Sequence, residues 1–528
     1  MSGVVLAPGA PRTIGDWIRD AAQRYGDRTA LDVVGREKTY LGVDRDSDRM
    51  AAGLHALGLA RGERVCVMMR NSLENIDVWF ALCKSGLIEV PVNTAARGFA
   101  LRYLLEQSQA CAVVCDAEFA QRVTEAAEGL ELLRHIVVHG EPGADPGPAL
   151  ADLYLDEEPP RPTLDRTDTA VLLYTSGTTG PSKGVVLGHE ANLNLARHTA
   201  HLMGYTPEDR LYTAFPLFHI NAKYTSVMAA MEAGGMLVMD DRFSAGRFWD
   251  ICREKRVTAF NYQGALLMML YKQPELPDDA DNPVRAGFGA PCPVEIWEPF
   301  ERRFGVRLTE VYGMTEIAIA TQRRPEDDAP RGSAGRESPN FTVAVVDEHD
   351  RPVPPGEPGE IVVRPKKPGI MIDEYFRMPE ETVRAFRNLW FHTGDRGRMD
   401  ADGVLYFMDR LKDSIRRRGE NISSWEVEQV VCAHPDVAEA AAYAVPSELG
   451  EDEVMIAVVA QPGAAPTPEQ LLDHCQEQMA YFAVPRFVRF LDELPKTPSQ
   501  RVQKFRLRED GVTADNWDRD AAGYTVRR

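Results

Sequence analysis

Short β-branched runs alternate with segments of helical period along roughly the first 320 residues, and this alternation leaves few folds open. The runs at 65–69, 112–115, 135–138, 170–174, 236–239 and 258–261 are strand-length and are separated by stretches long enough to cross back over a sheet. Together they predict an α/β class of fold, with helices packed on largely parallel sheets. The first helix is well signed: Ile14, Trp17, Ile18, Ala21 and Tyr25 recur at helical spacing after Thr13, and Gly26 follows as a stop. Beyond about Arg331 the texture changes. Runs at 343–347, 360–363 and 404–407, with the Pro- and Gly-rich stretch 351–358 between them, predict a small antiparallel β section or barrel. The charged run DRLKDSIRRR (409–418) then leads into an α+β pattern. Helices are expected from Ser423, with Glu426 completing a capping box, and from Thr467, with Pro468 and Gln470, and strands near 437–445 and 453–460. The expected division is a large domain over 1–409 and a small one over 410–528.

Composition narrows the function classes. At 528 residues, with 44% apolar and 27% charged residues, the chain has ordinary globular composition, which excludes a disordered, collagenous or disulfide-framework protein. A net charge of −20 argues against nucleic acid or an anionic membrane as partner, so any anionic ligand has to be held locally. Eight cysteines without CxxC spacing read as buried thiols of a reducing compartment rather than a metal site. No basic stretch precedes the short apolar run at the N-terminus, and the most apolar internal run, 227–239, is too short to span a membrane and is interrupted by Glu232. A cytoplasmic protein is expected.

The sharpest local signal is LLYTSGTTGPSKGVVLGH, residues 172–189. Gly177, Gly180 and Gly184, the hydroxyls of Thr175, Ser176, Thr178 and Thr179, and Lys183 make a loop between two β runs. Such a loop can wrap N–H groups, hydroxyls and one cation round a phosphate chain. It is not a Walker loop, because Ser182–Lys183–Gly184 leads into a strand (185–187) rather than a helix.

With this block and five others in order, FPLFHINA (215–222), GFGAP (287–291), VYGMTE (311–316), WFHTGD (390–395) and DRLKDSIRRRGENISSWEVE (409–428), the chain resembles the adenylate-forming superfamily of acyl-CoA synthetases, aryl-CoA ligases, luciferases and peptide-synthetase adenylation domains. The resemblance covers nearly the whole sequence. It implies a large N-terminal domain and a lid that rotates between an adenylating and a thioester-forming pose, with a hinge at Lys412. It also implies ATP or acyl-AMP, coenzyme A and Mg²⁺ as ligands.

Carried residue by residue, the resemblance puts the phosphate loop (Thr175, Ser176, Gly177, Thr178, Thr179, Lys183), Gly289, Ala290, Pro291, Tyr312, Gly313 and Thr315 at the nucleotide. Asp395 and Arg410 fall at the ribose, and Glu316 at the metal, a hard cation that wants oxygen. His219 corresponds to a gate beside the acyl carboxylate. Phe218, His219, Gly264 and Gly287 are expected at the acyl pocket, and Arg416, Arg418, Gly419 and Glu420 at CoA, with Gly419 letting pantetheine pass close to backbone. FPLFHINA carries no acid to hold an ammonium group, which favours a plain carboxylic acid over an amino acid.

One block departs from the family pattern. Where Pro–Lys–Thr–x–x–Gly–Lys is expected, the chain reads LPKTPSQRVQK, so Gln500–Arg501 replaces Gly–Lys; Lys496 and Lys504 are the nearest alternative cations. Arginine keeps the charge but is a broad planar fork where a compact point charge is needed. Losing one preorganised stabiliser of this kind costs about 3–4 kcal/mol in the adenylating step. The thioester step does not use this residue. The chain is therefore expected to make an acyl-CoA thioester from an acyl-adenylate and CoA, with adenylation weak or absent. The alternatives are a full ATP-dependent carboxylic acid–CoA ligase, a luciferase-like oxygenase and a non-catalytic adenylate- or CoA-binding protein. The arginine-rich loop resembles the carnitine–CoA-ligase-like branch, and Arg501 resembles antibiotic-pathway members supplied with acyl-adenylate by a separate adenylating enzyme. A homodimer is left open.

Overall fold

The computed structural model describes residues 12–141, 147–175, 181–410, 414–447, 450–495 and 502–527. Among them, two large sheets enclose a layer of apolar helices. In the first sheet six strands run parallel in the order Thr29–Val33, Met236–Met239, Arg210–Thr213, Ala259–Tyr262, Ala286–Gly289, Arg307–Met314. Antiparallel strands Arg36–Thr39 at one edge, and Ala318–Arg323 with Arg336–Glu337 at the other, close it. In the second, His135–His139, Ala110–Asp116, Arg64–Met68, Ile88–Pro91 and Thr169–Thr175 are parallel and Lys183–Gly188 is antiparallel. The six runs read from the sequence are all strands, each within two residues of its expected bounds. The helix Ile14–Tyr25 is capped by the Thr13 hydroxyl, which accepts from the Asp16 N–H, and ends at Gly26, whose φ is +56°.

The helices Leu73–Ser85 and His189–Met203, with the segment Asn221–Met228, lie between the sheets, which explains their unusually continuous burial: every residue of Leu73–Ser85 except Glu74 is buried. Such a layer has no solvent to stabilise charge, yet it holds an ion pair with both side chains fully buried. Lys223 Nζ donates to Glu89 Oε1 at 2.7 Å with side chains 1% and 0% exposed, and stands 4.0 Å above the Trp79 ring. Burial pushes the carboxyl of Glu89 up and the amine of Lys223 down, and each opposes the other's shift.

The expected β section is present: Phe341–Val346, Pro358–Pro365, Trp390–Met399 and Leu405–Arg410 form one antiparallel sheet, joined at its edge by Phe386–Arg387. A smaller C-terminal domain follows. It contains the hairpin Ser414–Arg417/Glu420–Ser423, a sheet of Val437–Pro446, Asp452–Ala460, Phe487–Phe490 and Trp517–Asp518, and the helices Ser424–Cys432, Pro468–Gln478 and Lys504–Asp510. Thr467 and Gln470 form a complete capping box. The box read at Ser423 is only half made: its hydroxyl accepts from the Glu426 N–H at 3.3 Å, but the Glu426 carboxylate reaches into the other domain. All eight cysteines are free thiols and only Cys432 is exposed. No helix among the described residues is long and apolar enough to cross a membrane.

Glu89→Ala leaves an ammonium unpaired between the sheets and is expected to cost about 3–5 kcal/mol, whereas Glu89→Leu with Lys223→Met should recover most of it. Urea midpoints followed by tryptophan fluorescence measure both.

Candidate active site

One cavity of about 630 Å³ opens where the C-terminal ends of the first sheet's strands meet the β section and the small domain. Its walls carry Thr175, Lys183, Phe218, His219, Gly289, Ala290, Gly313, Thr315, Glu316 and Asp395 from the large domain and Arg416, Gly419 and Glu420 from the small one. Residues far apart in the sequence thus converge. Gly289 is required by packing: a Cβ there would lie 2.0 Å from the Tyr262 carbonyl oxygen, and at Gly313 a Cβ would meet the Ala318 carbonyl at 1.7 Å.

Several expected site residues are placed differently. Gly264 and Gly287 do not line the cavity. A Cβ at Gly264 would meet the Pro291 carbonyl at 2.7 Å and one at Gly287 the Leu308 side chain at 2.7 Å, so both glycines serve close packing rather than open an acyl pocket. Pro291 is likewise outside the walls, its carbonyl directed at Gly264. Tyr312 is buried rather than presented as an open stacking face. Its hydroxyl donates to Asp395 Oδ2 at 2.8 Å, and its ring lies 6.1 Å from that of Phe407. Asp395 is not in a surface turn but 3% exposed within the strand Trp390–Met399, opposite Arg410. Arg418 is exposed and outside the cavity, with φ +52°. Arg417 is buried against Glu453 (2.6 Å) and the Phe482 carbonyl, holding the small domain's own sheet. Ser176, Gly177, Thr178, Thr179, Lys412 and Arg501 lie outside the described residues.

The lysine that lines this cavity already has an anion. Lys183 pairs with Glu381 and sits 4.9 Å above the Tyr375 ring. Glu316, 3% exposed, accepts from the Tyr375 hydroxyl at 2.9 Å. Among the described residues no three His, Cys, Asp or Glu side chains converge as a metal cage; the donor set at Glu316 is one buried carboxylate beside Thr315. That chemistry fits Mg²⁺ held jointly with phosphate oxygens rather than by protein alone.

Among the described residues the two domains meet on the rim at several places, including the contact of Arg97 with the Gln476 carbonyl at 3.4 Å. His219 Nε2 lies 3.3 Å from the Glu420 carboxylate, which also accepts from Asn93 Nδ2 at 3.4 Å. Gly419, with φ +83°, brings its backbone over Gln263: a Cβ would stand 2.0 Å from Gln263 Oε1. The Glu426 carboxylate accepts from the Ser182 hydroxyl and, at 3.3 Å, from its N–H, and burial raises its pKa. Gln263, Glu426 and Glu381 were not legible as site residues. The helix-start pattern explained Glu426 locally, and Glu381 lies in a short helix, Pro379–Ala385, with no motif of its own.

Glu310, just ahead of Tyr312, accepts from the Cys292 N–H at 3.0 Å and so ties the 289–292 segment to the central strand. Burial pushes its carboxyl up to about 8, against the opposing effects of that N–H and of Arg323.

The comparisons agree with this arrangement. Residues 18–372 match the AMP-binding enzyme family and residues 426–501 the AMP-binding enzyme C-terminal domain. Crotonobetaine/carnitine–CoA ligase of Salmonella paratyphi A is 32% identical over 504 residues, covering 93% of this chain and 97% of the relative; that of Citrobacter koseri is 33% identical over 505, with the same coverages. An o-succinylbenzoate–CoA synthetase double mutant from Bacillus subtilis, bound to a product analogue, superposes with TM-score 0.82 at 26% identity, covering 94% of this chain and 98% of that one. The amide bond synthetase of Marinactinospora thermotolerans gives 0.83 at 26% identity (93% and 99%), and ATP-bound MatB from Rhodopseudomonas palustris 0.70 at 28% (94% and 98%).

A carboxyl whose folded pKa is raised contributes stability that is fully present below its unfolded value near 4.5 and is lost as pH rises through about 8. Glu310→Gln keeps the acceptor for Cys292 and removes the titration. The variant is expected to match wild type in urea midpoint near pH 4.5 and to exceed it by a growing margin up to about pH 8.

Proposed function

Since the chain belongs to the AMP-binding enzyme family and is an acid–thiol ligase, with ATP or AMP and CoA as the family's ligands, we propose that it joins an uncharged carboxylic acid to CoA through an acyl-adenylate and performs the second half-reaction faster than the first. The observation that carries this reading is that a single cavity is walled both by the nucleotide and acyl blocks and by the small domain's Arg416–Gly419–Glu420 loop. We place the domain boundary at 409/410 with the hinge at Lys412.

Asp395 accepts the ribose hydroxyls in place of the Tyr312 hydroxyl that now occupies it, and Arg410, on the neighbouring strand, is the second ribose contact. Lys183 exchanges Glu381 for phosphate, and Thr315 donates to the same group. Glu316 would hold Mg²⁺, which would supply positive charge to the phosphates. His219, steadied by Glu420, separates the acyl carboxylate from the mouth where the thiol enters. Arg416 gives that mouth a positive charge; Gly419 leaves the passage open by lacking a side chain. The thiol sulfur bonds to the acyl carbon, AMP leaves with the electron pair of the broken C–O bond, and the thiol proton passes to solvent. The Gly419 backbone standing over Gln263 at the cavity wall supports a thioester-forming pose for the lid.

Unequal half-reactions follow from Arg501. Lys504 does not replace it in this pose, because it is held on the lid by Glu428 at 2.6 Å and Ser424 at 2.9 Å. A synthetase competent in both halves is the second reading, favoured by the relatives' names as CoA ligases.

Acyl-adenylate plus CoA is expected to give thioester and AMP quickly, while acid, ATP and Mg²⁺ give slow pyrophosphate exchange that Arg501→Lys, alone or with Gln500→Gly, raises about 10²-fold. Robust wild-type exchange across several acids would establish the second reading instead. Gly419→Leu collides with Gln263 and is expected to abolish thioester formation while calorimetry finds acyl-adenylate affinity unchanged.

A further inference from the structure

We propose that Asn221 sets substrate choice at the acyl end of the cavity, its carboxamide donating to a hydrogen-bond-accepting substituent on an otherwise apolar, uncharged acyl group; this rests on the reading of the cavity given above. The segment Asn221–Met228 is a π-helix, whose wider turn brings positions four and five residues on to one carbonyl. The hydroxyls of Thr225 and Ser226 accordingly both donate to the Asn221 carbonyl oxygen, at 2.8 and 3.0 Å. With their protons committed, their oxygens need a donor. Asn261, 3% exposed on the strand Ala259–Tyr262, supplies it: its Nδ2 reaches Thr225 Oγ1 at 3.0 Å, Ser226 Oγ at 2.9 Å and Asn221 Oδ1 at 2.9 Å.

In this network, where the two Nδ2 protons of Asn261 are shared among these acceptors and the Thr225 carbonyl at 3.3 Å, the Asn221 amide turns its oxygen toward Asn261. Oδ1 is taken by Asn261, so Nδ2 is the end left over. It donates to none of the described residues, although Asn221 is half-buried and lines the cavity. The donor is therefore oriented before any ligand arrives, and a ligand without an acceptor leaves it unpaired. Around it the wall is apolar: Leu195, Ile220, Phe288, Val311, Met314 and Ile319. The only acid or base that helices 189–203 and 221–232, strands 259–262 and 286–289 and the 311–319 hairpin contribute, among described residues, is Glu316, engaged by Tyr375. A cationic acyl group has no counter-ion there.

The test uses non-hydrolysable acyl-sulfamoyladenosines in matched pairs, aryl and alkyl, with and without a keto, nitro or hydroxyl group, and one trimethylammonium member. Calorimetric affinities are read on wild type, Asn221→Leu and Asn221→Asp, with AMP binding as the folding control. Wild type is expected to favour the acceptor-bearing member of at least one pair by roughly 10²-fold. Asn221→Leu should shrink that ratio to within about threefold, and Asn221→Asp should move the preference to a hydroxyl-bearing analogue. An unchanged ratio in Asn221→Leu, or a wild-type preference for unsubstituted or cationic members, overturns the role of Asn221 alone. Binding of no analogue by wild type overturns the cavity reading and this proposal together.

Discussion

The Glu89–Lys223 pair ties the second sheet to the helix that forms the cavity's inner wall. Helices sandwiched between two sheets are normally held by shape alone, and shape fixes rotation about the helix axis poorly. A buried ion pair with a ring beneath the ammonium admits one rotation, because any other leaves a charge without a partner in a medium that cannot solvate it. The residues that depend on that rotation are His219, Asn221 and Thr225, which line the cavity from the same helix and the turn before it. A structural interaction with no place in the chemistry thus orients groups that have one.

Charge around the cavity follows a related logic. The chain carries 80 acidic and 60 basic residues, so a free cation beside the cavity would attract its own chain's carboxylates. Lys183 illustrates the result, resting on Glu381 until an anion of higher charge competes for it. Asp395 is in the same condition with the Tyr312 hydroxyl. Ligand binding at such a site is an exchange of partners, and its net strength is the difference between two sets of hydrogen bonds rather than the sum of the new ones.

Much of the architecture was legible because period and punctuation agree: short β-branched runs became strands, and Thr13, Gly26 and Thr467 ended or began helices where their side chains predict. The ordered motifs located the cavity. What escaped the sequence depended on partners distant along the chain. Gly264 and Gly287 looked like space for a ligand, but whether a missing Cβ opens a pocket or admits a neighbour is set by what packs opposite, here a carbonyl and a leucine. Tyr312 and Asp395 were read as two separate ligand contacts, and only the approach of two different sheets, bringing together residues 83 positions apart, reveals that they hold each other. Within the arginine triplet, alternation along the strand Ser414–Arg417 buries Arg417 and leaves Arg416 at the cavity, a division that charge alone does not mark.

Glu426 ties the small domain to the large one at a charged spot. Its carboxylate sits on the hydroxyl and N–H of Ser182, donors at the edge of the loop that the sequence marks for phosphate, and burial already makes its negative charge costly there. A carboxylate and a polyphosphate on one short loop repel each other, with little water between them to screen the repulsion. A phosphate on that loop therefore weakens the Glu426–Ser182 contact, and the strength of this link between the two domains depends on what the loop holds.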